Sequence, residues 1–283
     1  MSITRRKAVR SAAAFGILSG ATKIGLQAEA ASRGRLKQSV CKWCYKDLSI
    51  DELAAAGAKM GLRAIDLLTA EEWPLLEKYG LICSMGSGIC TIPDGLNQRA
   101  NHAEIEANFR RLLPLAKKHN VPNLICFSGN RRDISDAEAW DNCAALLRKV
   151  TPQAEDLGVT IAMELLNSKV NHPDYQCDTT PWGVELAKRV DSPRFTLLYD
   201  IYHMQIMEGD VIRTIQDNPK FLGHFHTGGN PGRHEIDATQ ELNYTAIAKA
   251  VADTGFEGYF AHEFIPVRDP LTSLREAVRL CTV

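Results

Sequence analysis

Four residues of this 283-residue chain combine types and spacing that suit metal chemistry: Glu164, Asp200, His226 and Glu263. Each closes a short apolar run: Thr160-Ile161-Ala162-Met163-Glu164, Phe195-Thr196-Leu197-Leu198-Tyr199-Asp200, Gly223-His224-Phe225-His226 and Tyr259-Phe260-Ala261-His262-Glu263. They stand 36, 26 and 37 positions apart, each gap about one strand-plus-helix unit. Equivalent ends of successive parallel strands share one rim, so the four side chains can converge. A single acid ending a strand is ordinarily an N-cap or a solvated loop residue. Three acids gathered with an imidazole are costly to bury without a cation. Mainly oxygen ligands favour Mn2+ or Mg2+, with Co2+ or Zn2+ as the next choices.

The elements that must position these residues run through the chain after residue 35. The patterning predicts strands at Ser39–Tyr45, Ala64–Leu68, Ile82–Ser87, Asn123–Phe127, Thr160–Glu164, Phe195–Asp200, Phe221–His226 and Gly258–Glu263. Helices are predicted at Ile50–Met60, Glu71–Tyr79, Asn101–His119, Asp136–Leu157, Thr180–Arg189, Asp210–Asp217, Tyr244–Thr254 and Pro270–Leu280. Ser49-Ile50-Asp51-Glu52 has the form of a capping box. Gly61, Gly80, Gly158 and Gly255 follow helices where C′ glycines belong. Strict alternation of the two textures predicts a parallel sheet, and eight repeats fit a closed (β/α)8 TIM barrel of the α/β class. An open doubly wound sheet would want a glycine-rich phosphate loop after its first strand, and Tyr45-Lys46-Asp47-Leu48 is not one. No linker or shift in composition divides residues 31–283, which read as one catalytic domain.

The first thirty residues differ. Thr4-Arg5-Arg6-Lys7 precedes a weakly apolar, Ala- and Gly-rich stretch from Ser11 to Leu26, and Ala28-Glu29-Ala30 matches an A-x-A cleavage signal. This is the layout of a twin-arginine-type signal peptide, predicting a periplasmic or otherwise exported protein. The apolar run is short and broken by Lys23, which argues against a stable membrane span. A net charge of −1 gives no basic field for nucleic acid, so the expected partner is a small-molecule carbonyl or sugar. The assembly state stays open between monomer and homo-oligomer. Cys41 and Cys44 form a C-x-x-C without a second copy, inside a predicted strand; they and Cys83, Cys126, Cys143 and Cys281 read as buried thiols.

A longer set of motifs carries a family resemblance. Met163-Glu164-Leu165-Leu166-Asn167, Asp200-Ile201-Tyr202-His203-Met204-Gln205, Gly223-His224-Phe225-His226, Asn230-Pro231-Gly232-Arg233-His234-Glu235, Glu241-Leu242-Asn243-Tyr244 and His262-Glu263-Phe264-Ile265-Pro266 together resemble the hydroxypyruvate isomerase family. That family lies within the xylose-isomerase-like sugar isomerases and epimerases. The resemblance covers residues 160–266 in motif and the N-terminal half in architecture only. It implies Glu164, Asp200, His226 and Glu263 as metal ligands, Glu164 and Glu263 as the proton-transferring pair, and His203 and Arg233 as substrate contacts. It also implies isomerisation through an enediolate. Hydroxypyruvate-type isomerases often carry Gln where His226 stands, whereas sugar 3-epimerases carry His followed by Thr-Gly, as in Thr227-Gly228. Ketose 3-epimerisation is therefore the neighbouring reading, and lysis or hydrolysis of 3-keto-glycosides a more distant one. A metal-dependent endonuclease would need further His and acidic ligands, for which the first half offers little beyond His102. An exported sugar-binding protein would not need two glutamates on one metal.

Several weaker positions complete the reading. His224 shares a strand face with His226 and is either a ligand-orienting group or a core histidine; His262 alternates away from Glu263. Trp43 either walls the pocket or packs in the core. The segment holding Asn167, Lys169 and His172, through Asp178, is a candidate lid. Glu235 and Glu241 read as solvated carboxylates.

Overall fold

The structure, a computed structural model, describes residues 34–283; the signal-peptide expectation lies outside the described residues. Residues Arg35–Val283 form one compact unit. Eight strands are present: β1 Lys37–Cys41, β2 Ala64–Asp66, β3 Ile82–Cys83, β4 Asn123–Cys126, β5 Thr160–Leu165, β6 Phe195–Asp200, β7 Leu222–Thr227 and β8 Tyr259–His262. They pair in parallel in the order β3-β2-β1-β8-β7-β6-β5-β4. Gly86 closes the ring. Its N–H donates to Asn123 O (2.8 Å), its carbonyl accepts from Ile125 N (3.0 Å), and it bridges Leu68 on the other side. A Cβ there would sit 2.6 Å from the Trp73 ring and 2.9 Å from Leu124, so the seam needs glycine. The expected (β/α)8 barrel is what the chain forms.

The helices are α1 Ile50–Met60, α2 His102–Lys118, α3 Asp136–Leu157, α4 Thr180–Val190, α5 Ile201–Met207, α6 Val211–Asp217, α7 Tyr244–Asp253 and α8 Pro270–Leu280. Ser49 and Glu52 cap α1 reciprocally, as the sequence predicts. Three expectations are corrected. The first strand stops at Cys41 and passes into a 3-10 turn, because its neighbours supply ladder partners only as far as Asp66 and His262. The second predicted helix is a 3-10 helix, Trp73–Tyr79, burying Trp73 and Leu76 at i, i+3 spacing. An extra helix, α5, begins directly after β6, where Asp200 accepts from the His203 N–H as its N-cap.

Alternation along the strands fixes what faces the barrel axis. Ala162 precedes Glu164 by two, and Leu198, His224 and Ala261 precede Asp200, His226 and Glu263 by two. Leu197 pairs with Leu222 but Leu198 with His224, so Gly223 is the extra residue of a one-residue bulge. That bulge brings both histidines of β7 onto the face of Leu198 and Asp200. Met85, Ile125, Ala162 and Leu198 make a small inner apolar cluster, while a larger core lies around Phe109, Leu146, Phe225 and Phe260.

Candidate metal centre

Glu164, Asp200, His226 and Glu263 converge at the C-terminal end of the barrel. All four are buried, and one ligand atom from each lies within 4.8 Å of those of the other three. His226 Nδ1 is 2.8 Å from Glu263 Oε2 and 3.3 Å from Glu164 Oε1, yet it makes no aligned hydrogen bond to either. A buried ring nitrogen aimed at the point its neighbours also face, without a bond of its own, fits a cation-binding set of three oxygens and one nitrogen.

Positive charge reaches the acids from two sides. Arg233 Nη2 binds Asp200 Oδ2 (2.8 Å) and Glu263 Oε2, and its Nε donates to the Glu263 carbonyl (3.3 Å). Burial pushes the Asp200 carboxyl up to about 8, against the pull of Arg233. Burial also raises Glu164, aided by the charge of Glu263. Glu263 goes the other way: burial opposes its charge, but Arg233 and then His226 outweigh it and hold the carboxyl well below its usual range. The Trp43 indole N–H adds a bond to Glu263 Oε1 (2.6 Å). Around His226, burial disfavours the imidazolium, but Cys41, Glu263 and Asp66 raise its pKa well above the ordinary value.

His203 stands beside this cluster. Its Nδ1 accepts from the backbone (3.2 Å) and side-chain (2.5 Å) N–H groups of Asn167, and on the far side of the ring is Nε2. That nitrogen lies 3.1 Å from Arg233 Nη1 and 3.6 Å from Asp200 Oδ2. Burial, then Arg233, keeps the ring neutral by lowering its pKa well below the usual value. Arg233 itself has φ 60°, an uncommon backbone for a non-glycine residue and one that collects at functional sites.

The weaker candidates are also placed. Trp43 is half-exposed beside the acids, with the Arg233 guanidinium 5.3 Å from its ring, so it borders the pocket rather than filling the core. His262 points away from the centre and bonds Gln38 Oε1 (2.8 Å). The segment after β5 is pinned: Lys169 Nζ donates to the carbonyls of Ile206 and Met207, and Asp178 accepts from Arg131 and Ser168. Glu241 accepts from Gln205 (3.2 Å) at the surface, as expected. Glu235 is a correction. It is buried and accepts from Ser273 Oγ and from the Val267 and Arg268 N–H groups, tying the loop after β7 to the start of α8. All eight cysteines are free; seven are buried and Cys90 is half-buried.

One buried carboxyl beside the centre escaped the sequence reading. Asp66, fully buried at the end of β2, accepts from His224 Nε2 (2.6 Å) and from Ser84 Oγ and lies 3.4 Å from His226 Nε2. Ala64-Ile65-Asp66 is an apolar run ending in an acid, as in the four ligand strands. Expecting that strand to continue to Leu68 concealed the parallel.

Known proteins share this fold. The family model described as xylose isomerase-like TIM barrel matches residues 49–282. The chain belongs to that family. Among xylose isomerase-like TIM barrel proteins, a putative hydroxypyruvate isomerase from Danio rerio is 24% identical over 79% of this chain and 87% of its own length. A 2-oxo-tetronate isomerase from Pectobacterium atrosepticum is 25% identical over 78% and 88%. These relatives place the chain among isomerases. Two solved structures share the fold. One is AP endonuclease, family 2, from Brucella melitensis (TM-score 0.76, 21% identity, 84% of this chain and 97% of that one). The other is D-psicose 3-epimerase in the presence of D-fructose (TM-score 0.70, 18% identity, 87% and 96%).

Proposed function

We propose that this chain is a divalent-metal-dependent isomerase that moves a proton between neighbouring carbons of hydroxypyruvate or a similar small α-hydroxycarbonyl compound. The observation that carries this reading is the convergence of Glu164, Asp200, His226 and Glu263, one from each of four consecutive strand ends. A cation held there, Mn2+ or Mg2+ first and Co2+ or Zn2+ next, supplies polarisation of a substrate carbonyl. Glu164 and Glu263 offer carboxylate oxygens within 4.8 Å of each other, so a small substrate seated between them meets one as base and the other as acid. Removing the α-proton leaves an enediolate, and the Arg233 guanidinium, with the His203 ring beside it, is the donor group placed to meet its oxygens. Arg233 is also placed to meet a substrate carboxylate, though part of its fork is already bound to Asp200 and Glu263.

Ketose 3-epimerisation is the second reading, favoured by His226-Thr227-Gly228 and by the likeness of fold to a 3-epimerase. Both reactions begin with the same proton abstraction. The endonuclease reading loses ground because, among the described residues, every grouping able to hold a metal includes His226, which supports one centre rather than a spread cluster. We also propose that residues 1–30 direct export, on the Arg5-Arg6 pair and the Ala28-Glu29-Ala30 site.

The test is solvent exchange. Metal-loaded protein is incubated in D2O with hydroxypyruvate, with ketohexoses and with 3-keto-glucosides. Deuterium at the α-carbon of hydroxypyruvate supports isomerisation, exchange confined to ketohexoses supports epimerisation, and sugar release supports lysis. Glu164→Gln and Glu263→Gln each lower turnover about 10²–10⁴-fold with the fold intact. Wild-type turnover in either variant would remove the proton-transfer role.

A further inference from the structure

Beneath the four ligand groups lies a second layer of buried polar side chains that the proposed reaction does not use: Asp66, Ser84, His224 and Cys41. They come from β2, the residue after β3, β7 and β1; Asp66 joins Ser84 and His224, and Cys41 stands against His226. We infer that Asp66, braced by His224 and Ser84, is a positioning residue that fixes the His226 ring with its Nε2–H turned downward and its Nδ1 lone pair presented to the metal centre.

The argument is one of hydrogen-bond accounting. A carboxylate oxygen accepts, so a ring nitrogen aligned on it at 2.6 Å carries the proton. His224 therefore bonds Asp66 Oδ2 through Nε2–H, and its Nδ1, which has no partner, is a bare lone pair. The same oxygen lies 3.4 Å from His226 Nε2. With that proton directed at Asp66, Nδ1, which faces Glu164 and Glu263 without an aligned bond to either, is the nitrogen left to offer an electron pair to a cation. Were the ring to carry its proton on Nδ1 instead, it could not offer an electron pair to a cation at the centre, and a bare Nε2 would face the Asp66 carboxylate. Ser84 Oγ–H binds the second oxygen, Oδ1. His224 and His226 rings meet edge to face at 5.2 Å, which limits rotation of either. Cys41 Sγ approaches His226 Nε2 only to 3.7 Å, a weak contact that does not compete with the carboxylate.

This inference rests on the metal-centre reading, and the experiment separates the two. First, Mn2+ dissociation constants are measured for wild type, Asp66→Asn and His224→Gln. Loss of such an outer carboxylate weakens metal binding about 10–100-fold. Asp66→Asn should show that loss, while His224→Gln, which keeps an N–H donor for Asp66, should stay within about threefold. Second, ¹H–¹⁵N spectra of the metal-free wild type should show exchange-protected Nε2–H protons on both His224 and His226. Asp66→Asn should lose the His226 signal while keeping its circular dichroism spectrum. If Asp66→Asn fails to fold, His224→Leu replaces it, with the same expected loss of affinity and of the His226 Nε2–H. A bare His226 Nε2 in wild type, or an unchanged Mn2+ constant in Asp66→Asn, overturns the assignment. A wild type that binds no divalent cation but shows both Nε2–H signals overturns the metal reading and leaves the positioning role standing.

Discussion

Replacing Arg233 by methionine is the most informative single perturbation of the centre. The guanidinium bridges Asp200 and Glu263, and all three side chains lie in a region where water screens little: Arg233 is 12% exposed, Glu263 4% and Asp200 0%. At an effective dielectric constant near 20, one ion pair at the 2.8 Å separation of Arg233 and Asp200 is worth about 6 kcal/mol in gross Coulomb energy. The net cost of leaving a buried partner without its counter-charge is about 3–5 kcal/mol. Glu263 is the carboxyl that Arg233 holds ionised, so the variant relieves part of the penalty by taking up a proton there, and the lower end, about 3 kcal/mol, applies. For a unit of this size that corresponds to a fall of about 6–12 °C in Tm. Methionine keeps the reach of the side chain and inherits the same positive φ, so neither a large void nor a new backbone strain confuses the result. The assay is calorimetry in EDTA at pH 6 and pH 9. The loss should be larger at pH 9, where the unpaired carboxyls resist ionising most, and saturating Mn2+ should recover more stability in the variant than in wild type. A Tm within 1 °C of wild type at pH 9 would refute the view that Arg233 neutralises this cluster.

Three further outcomes follow from the same contacts. His262 is buried and neutral, and burial lowers its pKa to about 3; the unfolded chain takes up a proton near pH 6.5 that the folded chain refuses. Its contribution to stability is therefore whole above pH 6.5 and is lost at about 1.4 kcal/mol per pH unit down to about 3, so urea titrations of His262→Gln between pH 4 and 7 should show one proton less in their dependence. Trp43→Phe deletes the indole bond to Glu263, and since that donor helps keep the carboxyl ionised, the acid limb of kcat/KM should move to higher pH; an unmoved limb would show that the bond is idle. Arg5→Lys with Arg6→Lys should leave the protein in the cytoplasm by cell fractionation, and undiminished export would exclude the twin-arginine route.

The amino-acid sequence by itself determined the repeat. Apolar runs of period two alternate with helical stretches bounded by a capping box and C′ glycines, and these are local signals that survive without tertiary context. It also determined the four ligand candidates, because Glu164, Asp200, His226 and Glu263 each end a strand, and in parallel strands one end of every strand faces the same rim. Tertiary structure decided the rest. β2 is three residues long and β3 two, too short for alternation to reveal which side chain points inward, so Asp66 went unread although it meets His224 from 158 positions away. The short α5 after β6 and the early end of β1 depend on which neighbours offer ladder partners. Arg233 was legible as a residue of interest, but its bonds to Asp200 and Glu263, 33 and 30 positions away, arise only when two loops fold over one rim. Glu235 looked like a surface acid until Ser273 and the backbone of Val267 and Arg268 closed around it. Strand pattern is written residue by residue, whereas the partner of a buried charge is chosen by the chain as a whole.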